Sequence, residues 1–195
     1  MKHTSPPSWD EIILAGPGRR RDYDYDHIIK EFARRSEFIG RFSFAIPSPQ
    51  AVAAIAEHIQ DRKLLELGAG TGLWASLLSA IGVPVAAVDN HSWNGNVPIQ
   101  HGLWYPVEHS DAKAAVTKYA DHTAIFFCWP DYDKPWAAEA LRHFQGDRLV
   151  YIGEGDGGCT GDAEFHAQRY HWREKEVIDI PQWPGIHDAV HLYER

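Results

Sequence analysis

The amino-acid sequence predicts an α/β protein built on a doubly wound, mostly parallel seven-stranded sheet with a C-terminal antiparallel strand. Short apolar runs alternate with segments of helical periodicity through most of the chain. A glycine-rich turn follows the first central run, and an acidic residue closes the next run about twenty residues later. The last two apolar runs are too close together for a parallel crossover, so they predict a hairpin.

Residues 1–45 are predicted to form an N-terminal arm with a helical lid, and residues 46–195 a single α/β domain. Proline, glycine and charged residues dominate residues 1–26. Asp26 is expected to cap the first helix, and Gly40 is expected to end it. One face of this helix carries Ile28, Ile29, Phe32 and Ala33.

The α/β domain is expected to begin with a helix, since Ser48 and Pro49 combine an N-cap side chain with proline at the first helical position. This helix continues to Ile59. The predicted strands are residues 63–67, 83–88, a short strand at Val107, 123–127, 148–152, 176–180 and 189–193. The predicted helices between them are residues 73–81, 112–119, 134–144 and 162–172.

Composition restricts the class of protein. The net charge of −8 argues against a protein that binds many nucleic-acid phosphates, because such proteins carry a basic face. Two cysteines, Cys128 and Cys159, are too few for a disulfide framework and favour a reduced intracellular compartment. No apolar stretch has the length of a membrane helix. We therefore expect a cytoplasmic protein that makes no use of a membrane, in an oligomeric state that the sequence does not indicate.

The strongest motif is the run Glu-Leu-Gly-Ala-Gly-Thr-Gly at residues 66–72. Glycines allow the backbone to turn tightly and to approach a ligand closely. In an open α/β sheet the ligand lies at the carboxyl ends of the strands, where this turn is expected. Asp89 closes the next strand, at the position of a carboxylate that accepts hydrogen bonds from ribose hydroxyls. A dinucleotide-binding enzyme would carry a small residue at position 73, where this chain has leucine.

This arrangement resembles motif I of the class I S-adenosylmethionine-dependent methyltransferases. Further segments are similar to a group of methyltransferase-like proteins that brings no assigned methyl acceptor. They are residues 44–49, 128–130, 153–160 and 186–188. The likeness covers residues 38–195. It implies a Rossmann-like fold and S-adenosyl-L-methionine as the cofactor.

The resemblance also implies roles for individual residues in holding the cofactor. The methionine moiety would lie against Gly68, Ala69, Gly70, Thr71 and Gly72. Glu66 would orient the turn or meet the amino group of the cofactor. Asp89, with Asn90 beside it, would bind the ribose. Asp111 and Ala112 resemble the pair that meets the adenine edge, while Asp111 is equally suited to cap the helix that follows, and both roles are compatible.

The segment after the fourth strand, Cys128-Trp129-Pro130-Asp131-Tyr132, is expected at the ligand edge. Amino-methylating members of the class carry Asn or Asp, two prolines and an aromatic residue there. This chain has one proline, with Cys128 or Trp129 in place of the amide, which puts nucleobase N-methylation in doubt. Cys128 and Trp129 are candidates for cofactor contact and Asp131 for catalysis. Trp129 could stack on the adenine or the acceptor, or belong to the core.

Three residues near the C-terminus complete the candidate catalytic set. Glu154 lies in a glycine-rich loop after the fifth strand, and such loops carry function on a rigid scaffold. His187 and Asp188 end the closing hairpin loop, where a histidine beside an aspartate could act as general base. A structural or loop role for this histidine remains open, since neighbouring strand residues face opposite ways.

The sequence thus predicts an S-adenosylmethionine-dependent methyltransferase that acts on a small molecule or a protein side chain. A module that binds the cofactor without methyl transfer and a nucleic-acid methyltransferase are the alternatives. The arm with Tyr23 and Tyr25 is expected to close over the cofactor, and Trp93, Trp104 and Tyr105 to shape the acceptor pocket. No metal site is expected, because the twelve histidines include no HxxxH on a predicted helix.

Overall fold

The computed structural model describes residues 5–18, 25–92 and 102–195, and for residues 25–27 it describes the backbone alone. The helices are α1 (Trp9–Ala15), α2 (Tyr25–Arg41), α3 (Pro49–Ile59), α4 (Leu73–Ala80), α5 (Ala112–Lys118), α6 (Trp136–His143) and α7 (Ala163–Arg169). The strands are β1 (Leu64–Leu67), β2 (Val85–Asp89), β3 (Val107–His109), β4 (Ala124–Cys128), β5 (Arg148–Gly153), β6 (Arg173–Asp179) and β7 (Ala189–Glu194).

The strands form one seven-stranded sheet in the order β3-β2-β1-β4-β5-β7-β6. All neighbouring pairs from β3 to β5 are parallel, and β7 is antiparallel to both β5 and β6. The prediction of a mostly parallel, doubly wound sheet with a C-terminal antiparallel strand is therefore confirmed. The strand order reverses between β1 and β4, and in sheets of this kind the ligand crevice lies at that point.

Alternating residues of the strands supply the cores on the two faces of the sheet. Leu64 faces a cluster that includes residues of α3 and α4. Leu65 and Leu67 face the other way, into a cluster with residues of α5 and α6. This alternation follows from the two-residue period of a strand. Because both faces are covered, the central strands are apolar at nearly every position.

Helices α3, α5 and α7 begin where the sequence supplies a capping side chain. The hydroxyl of Ser48 accepts from the Ala51 N–H at 3.1 Å. The carboxylates of Asp111 and Asp162 do the same for α5 and α7, in each case at 2.8 Å. A side chain of this kind satisfies one of the backbone donors left free at a helix start. Other boundaries differ from prediction by up to three residues. The largest differences are that α6 begins at Trp136 instead of residue 134, α7 ends at Arg169 instead of residue 172, β2 begins at Val85 instead of residue 83, and β6 begins at Arg173 instead of residue 176.

Helix α1 lies in the segment predicted as the N-terminal arm, where no individual helix was predicted before the one expected at Asp26. Ser8 caps it by accepting from the Glu11 N–H. Ile12 is fully buried and belongs to the same core cluster as Phe38 and Phe42. The N-terminal helices therefore pack onto the α3 and α4 side of the sheet. The division at residue 45 into a lid and a domain stays a prediction.

The predicted boundaries and buried face of α2 were wrong. The helix begins at Tyr25, so Asp26 lies inside its first turn, and it continues past Gly40 to Arg41. Ile29 and Phe32 are 52% and 56% exposed, whereas Phe38 is 2% exposed. The reason is that α2 packs against the core through its C-terminal half.

The arm with Tyr23 and Tyr25 was predicted to close over the cofactor. Tyr23 and the side chain of Tyr25 lie outside the described residues, so this stays a prediction. Among the helices that are described, none is long and apolar enough to cross a membrane.

Candidate functional site

A cleft opens at the carboxyl ends of β1, β2 and β4, at the point where the strand order reverses. Its walls come from the end of α2, the glycine turn, and the segments after β2, β3 and β4. The described lining residues are Ile39, Phe42, Ser43, Phe44, Glu66, Leu67, Gly68, Ala69, Gly70, Thr71, Trp74, Val88, Asp89, Asn90, Ser92, Ser110, Asp111, Ala112, Lys113, Cys128, Trp129, Asp131, Trp136 and Glu139. Every residue predicted to hold the cofactor, except Gly72, is among them.

The glycine turn requires its glycines. Gly68, Gly70 and Gly72 have φ angles of 70°, 55° and 74°, in the left-handed region that other residues seldom adopt. A Cβ on Gly72 would lie 2.9 Å from the Cβ of Tyr105, so this glycine faces the strand behind the turn instead of the cleft. A Cβ on Gly68 would lie 3.0 Å from the Trp136 ring.

Asp89 ties the glycine turn to the end of β2. Its Oδ2 accepts from the Gly70 N–H at 2.8 Å, and its Oδ1 accepts from the His91 N–H. The backbone of the turn is bound as well, because the Ala69 N–H donates to the carbonyl of Val88 at 3.1 Å. An ionised carboxylate has about four lone-pair positions, so Asp89 can hold the turn and accept from a ligand hydroxyl together.

Glu66 lies beneath the turn with 1% of its surface exposed. Its Oε2 has no hydrogen-bond partner among the described residues. Burial raises the pKa of its carboxyl to about 8, and the nearby charge of Asp89 adds to this rise, while a hydrogen bond from the Ala75 backbone opposes it. A buried carboxyl of this kind strongly favours the neutral form until a positive charge approaches.

Asp111 and Ala112 lie at the β3 side of the cleft. The Asp111 carboxylate caps α5, as described above, and also lines the cleft. Both roles that the sequence allowed for this residue are therefore geometrically compatible. Lys113 follows them and lines the same side.

Trp129 has an unusual backbone. Its φ of 54° places a bulky residue in the left-handed region, which costs of order 1–3 kcal/mol and persists only when the surroundings fix it. Its N–H donates to the carbonyl of Ile152 at 2.8 Å, and its indole Nε1 donates to Asp188 Oδ2 at 2.8 Å. The side chain is half-buried and lines the cleft. It is thus neither a core residue nor a free surface residue.

Its neighbour Cys128 lines the cleft with a thiol that is hard to ionise. Burial raises its pKa well above the ordinary value, and the charge of Glu66 raises it further. Neither Cys128 nor Cys159 forms a disulfide.

Trp136 is a lining residue that the sequence analysis missed. Its indole Nε1 donates to Asp131 Oδ2 at 2.8 Å, while Asp131 Oδ1 accepts from Lys134 at 2.8 Å. Asp131 therefore orients Trp136 beside Gly68. An aromatic residue at the start of the helix after β4 was the available signal. Ser43, Ser110 and Glu139 were missed too, because nothing local marks them, and Phe44 was noted only as part of the resemblance over residues 44–49.

The three other predicted catalytic residues do not line the cleft. Glu154 accepts from the backbone N–H groups of Cys159, at 2.8 Å, and His187, at 3.0 Å. These bonds outweigh the effect of its burial and lower its pKa. Asp188 is 2% exposed and reaches the indole of Trp129, while His187 is exposed. No direct bond joins the side chains of His187 and Asp188 among the described contacts. Their role as a general base stays a prediction.

Trp104 and Tyr105 pack behind the glycine turn instead of shaping the cleft. The Trp104 ring stacks on Phe42 with centroids 5.9 Å apart, and the Tyr105 hydroxyl donates to the carbonyl of Val85. The expectation that they shape an acceptor pocket is corrected by this placement, and Trp93 lies outside the described residues. Within the described part of the chain no cluster of three or more His, Cys, Asp or Glu could hold a metal ion.

The fold is similar to that of solved methyltransferase structures. Magnesium protoporphyrin IX methyltransferase from Synechocystis, solved with bound S-adenosylmethionine, superposes with a TM-score of 0.53 at 10% identity, over 90% of this chain and 86% of that one. The 1,6-didemethyltoxoflavin N1-methyltransferase of Burkholderia thailandensis superposes with a TM-score of 0.51 at 15% identity, over 92% and 93%. This chain has the class I methyltransferase fold. No protein-family model and no curated protein sequence matches it significantly.

Proposed function

We propose that this protein is an S-adenosylmethionine-dependent methyltransferase that acts on a small molecule or a protein side chain. The observation that carries the proposal is the glycine turn bound to Asp89 above the buried carboxyl of Glu66, at the reversal point of the sheet. Both similar structures described above were solved with S-adenosylmethionine or its demethylated product. The likeness concerns the fold, and the residues of this chain support the cofactor.

The chemistry of the cleft fits this cofactor. S-adenosylmethionine carries a positive sulfonium and an ammonium group, and the described lining contains five acidic residues: Glu66, Asp89, Asp111, Asp131 and Glu139. Lys113 is the one Lys or Arg in that same described set. The buried Oε2 of Glu66, which lacks a partner within the described chain, suits an ammonium group. The left-handed glycines keep the backbone open to close approach.

In this proposal, Gly68, Ala69, Gly70 and Thr71 bind the methionine moiety, and Gly72 sets the turn from behind. Asp89 accepts from the ribose, while Asp111 and Ala112 meet the adenine. When bound, the cofactor supplies an activated methyl group with a good leaving group. The protein then has to hold the acceptor in line with that methyl and exclude water. A dedicated base is optional for such a transfer, and Glu154, Asp131, His187 and Asp188 remain candidates for proton handling.

The acidic lining also supports the acceptor class. A phosphate-rich acceptor needs basic partners, and the net charge of the chain is −8. A neutral or cationic small molecule, or a protein side chain, fits better than a nucleic acid. A cytoplasmic location belongs to the same proposal.

Calorimetric titration of S-adenosylmethionine tests the cofactor, with NAD as the competing ligand. Wild type is expected to bind S-adenosylmethionine and not NAD. Asp89→Ala is expected to lose at least about tenfold in affinity, because a ribose acceptor and the anchor of Gly70 both disappear. Asp61→Ala is the matched control: it makes the same charge change at an exposed residue outside the cleft.

Absence of S-adenosylmethionine binding to folded wild type, or equal weakening by both substitutions, would overturn the proposal. Binding without turnover of any acceptor in a screen of small molecules and peptides would favour a cofactor-binding module. The segment after β4 departs from the pattern of amino-methylating enzymes, and this departure is the feature that favours a cofactor-binding module.

A further inference from the structure

Glu66 brings a buried carboxyl to the cleft with one unpartnered oxygen. It lies on β1 beneath the glycine turn, lines the cleft and has 1% of its surface exposed. Its Oε2 has no hydrogen-bond partner among the described residues. Its neighbours across the sheet are Ala87 on β2 and Phe126 on β4, and both are buried and apolar. A carboxylate in such surroundings is costly unless a positive charge accompanies it.

The groups of the described chain that act on this carboxyl supply no positive charge. The Ala75 N–H of α4 donates a hydrogen bond to it, and the charge of Asp89 at the end of β2 disfavours its ionised form. The thiol of Cys128, at the end of β4, interacts with it electrostatically. Burial, together with Asp89, therefore holds Glu66 in the protonated form at neutral pH, with its pKa raised to about 8.

The missing charge is one that the proposed ligand carries. In the proposed function the methionine moiety, with its ammonium group, lies against the glycine turn above Glu66. A cation within about 4–6 Å of a carboxyl favours the ionised form of that carboxyl. When Glu66 receives the ammonium group it therefore becomes a carboxylate, and its proton leaves to solvent. The ammonium group keeps its own proton, so the ion pair holds one proton fewer than the separate partners.

We infer that Glu66 gives up its proton to solvent when it receives the ammonium group of S-adenosylmethionine or S-adenosylhomocysteine, so that the affinity for both ligands rises with pH. The inference rests on the proposed function, since it assigns Glu66 to one group of the proposed cofactor. It also gives Glu66 a part in specificity, because a ligand without the amino group leaves the carboxyl protonated.

Calorimetry with S-adenosylhomocysteine at pH 6 and pH 7 measures the affinity. Titrations in two buffers of different ionisation enthalpy count the protons released. Wild type is expected to bind about tenfold more tightly at pH 7 than at pH 6, because the free protein holds a proton that the complex has lost. 5′-Methylthioadenosine keeps the adenosine and the thioether but lacks the amino group. It is expected to bind equally at both pH values and to release no proton.

The comparison of the two ligands separates Glu66 from other titratable groups at the cleft. His91 Nδ1 lies 3.6 Å from Asp89 Oδ1, so a change in the charge of His91 would act on a ribose held by Asp89. Such an effect would reach both ligands, because both carry the ribose. Cys128 stays protonated in this range, since burial raises the pKa of its thiol well above the ordinary value. A pH dependence confined to S-adenosylhomocysteine therefore reports on the group that meets its amino-acid portion.

Glu66→Gln identifies that group. Glutamine keeps the shape of the side chain and an oxygen that accepts from an ammonium group, but it has no proton to release. The variant is expected to bind S-adenosylhomocysteine within about twofold equally at pH 6 and pH 7, without proton release. Glu139→Gln is the matched control, because it makes the same change at an exposed acid that also lines the cleft. It is expected to keep the pH dependence of wild type.

Four results would each overturn the inference: equal affinity of wild type for S-adenosylhomocysteine at both pH values, no proton release, the same pH dependence for 5′-methylthioadenosine, or wild-type behaviour of Glu66→Gln. If Glu66→Gln does not fold, the two ligands compared on wild type decide the question. If 5′-methylthioadenosine does not bind, the two variants decide it. Failure of S-adenosylhomocysteine to bind at either pH would instead overturn the proposed function, and the inference with it.

Discussion

The buried carboxyl of Glu66 makes the stability of the protein depend on pH in a predictable direction. Its folded pKa is about 8, against an ordinary value of 4.5. Between these values the folded state holds a proton that the unfolded state has released. The free energy of unfolding therefore falls by about 1.4 kcal/mol per pH unit as the pH rises. The stabilisation that the protonated Glu66 carboxyl provides is complete below pH 4.5 and is lost above about pH 8.

Glu66→Gln removes this titration while keeping the shape of the side chain. Relative to this variant, wild type is expected to lose about 4 kcal/mol between pH 5 and pH 9. In a chain of this length that corresponds to about 8–16 °C in melting temperature. Urea unfolding of both proteins without cofactor, at pH 5, 7 and 9, measures the difference. Glu176→Gln, at an exposed acid on β6, serves as control and is expected to run parallel to wild type.

A stability difference between wild type and Glu66→Gln that stays constant from pH 5 to pH 9 would refute this reasoning. It would mean that Glu66 is ionised in the folded protein at neutral pH.

Three further predictions concern the turn, the loop after β5 and the thiols. Gly68→Ala and Gly82→Ala each place a side chain at positive φ and are expected to cost about 1–2 kcal/mol in urea unfolding. Calorimetry is expected to show about tenfold weaker S-adenosylmethionine binding for Gly68→Ala, because a Cβ on Gly68 meets the Trp136 ring in the cleft. Gly82→Ala is expected to leave the affinity unchanged, because nothing lies near a Cβ at Gly82. Equal affinities of the two variants would contradict this prediction. Thr160→Val is expected to lower the free energy of unfolding by about 2–3 kcal/mol, because the hydroxyl that accepts from the Glu154 N–H is lost. The variant is also expected to be cleaved faster by proteases within residues 154–161. An unchanged cleavage rate would count against this. Each single serine variant leaves one thiol: Cys128 remains in Cys159→Ser, and the exposed Cys159 remains in Cys128→Ser. With a disulfide reagent at pH 8, Cys159→Ser is expected to react at least about tenfold more slowly than Cys128→Ser. Equal rates would show that Cys128 is accessible.

The parts of the fold that sequence predicted well are those with a local signal. The run at residues 66–72 combines a strand, closely spaced glycines and a helix within a short stretch, and Asp89 follows at a fixed distance. Each feature restricts the backbone by itself, so the turn and its anchor could be placed without any long-range contact. Ser48 and Asp111 mark helix starts for the same reason.

The parts that could not be predicted depend on contacts between distant segments. Trp129 and Asp188 are 59 residues apart, and nothing near either one indicates their hydrogen bond. Helix α1 is seven residues long with Ile12 as its single fully buried residue, which leaves no detectable period. The apolar pattern of α2 indicated the wrong face, because tertiary packing of its second half decides which side is buried. Trp136 is an aromatic residue at the start of the helix after β4, but its position in the sequence did not distinguish a cleft residue from a core residue.

The insertion of β7 between β5 and β6 sets an order of events during synthesis. Strand β6 leaves the ribosome before β7, yet it pairs with no strand other than β7 in the described sheet. Until β7 arrives, β6 presents unpaired backbone that could recruit another chain. The consecutive charges from Arg173 to Glu176 are exposed and discourage such pairing. The charged edge is therefore expected to limit aggregation of the nascent chain in the interval before β7 pairs with β6.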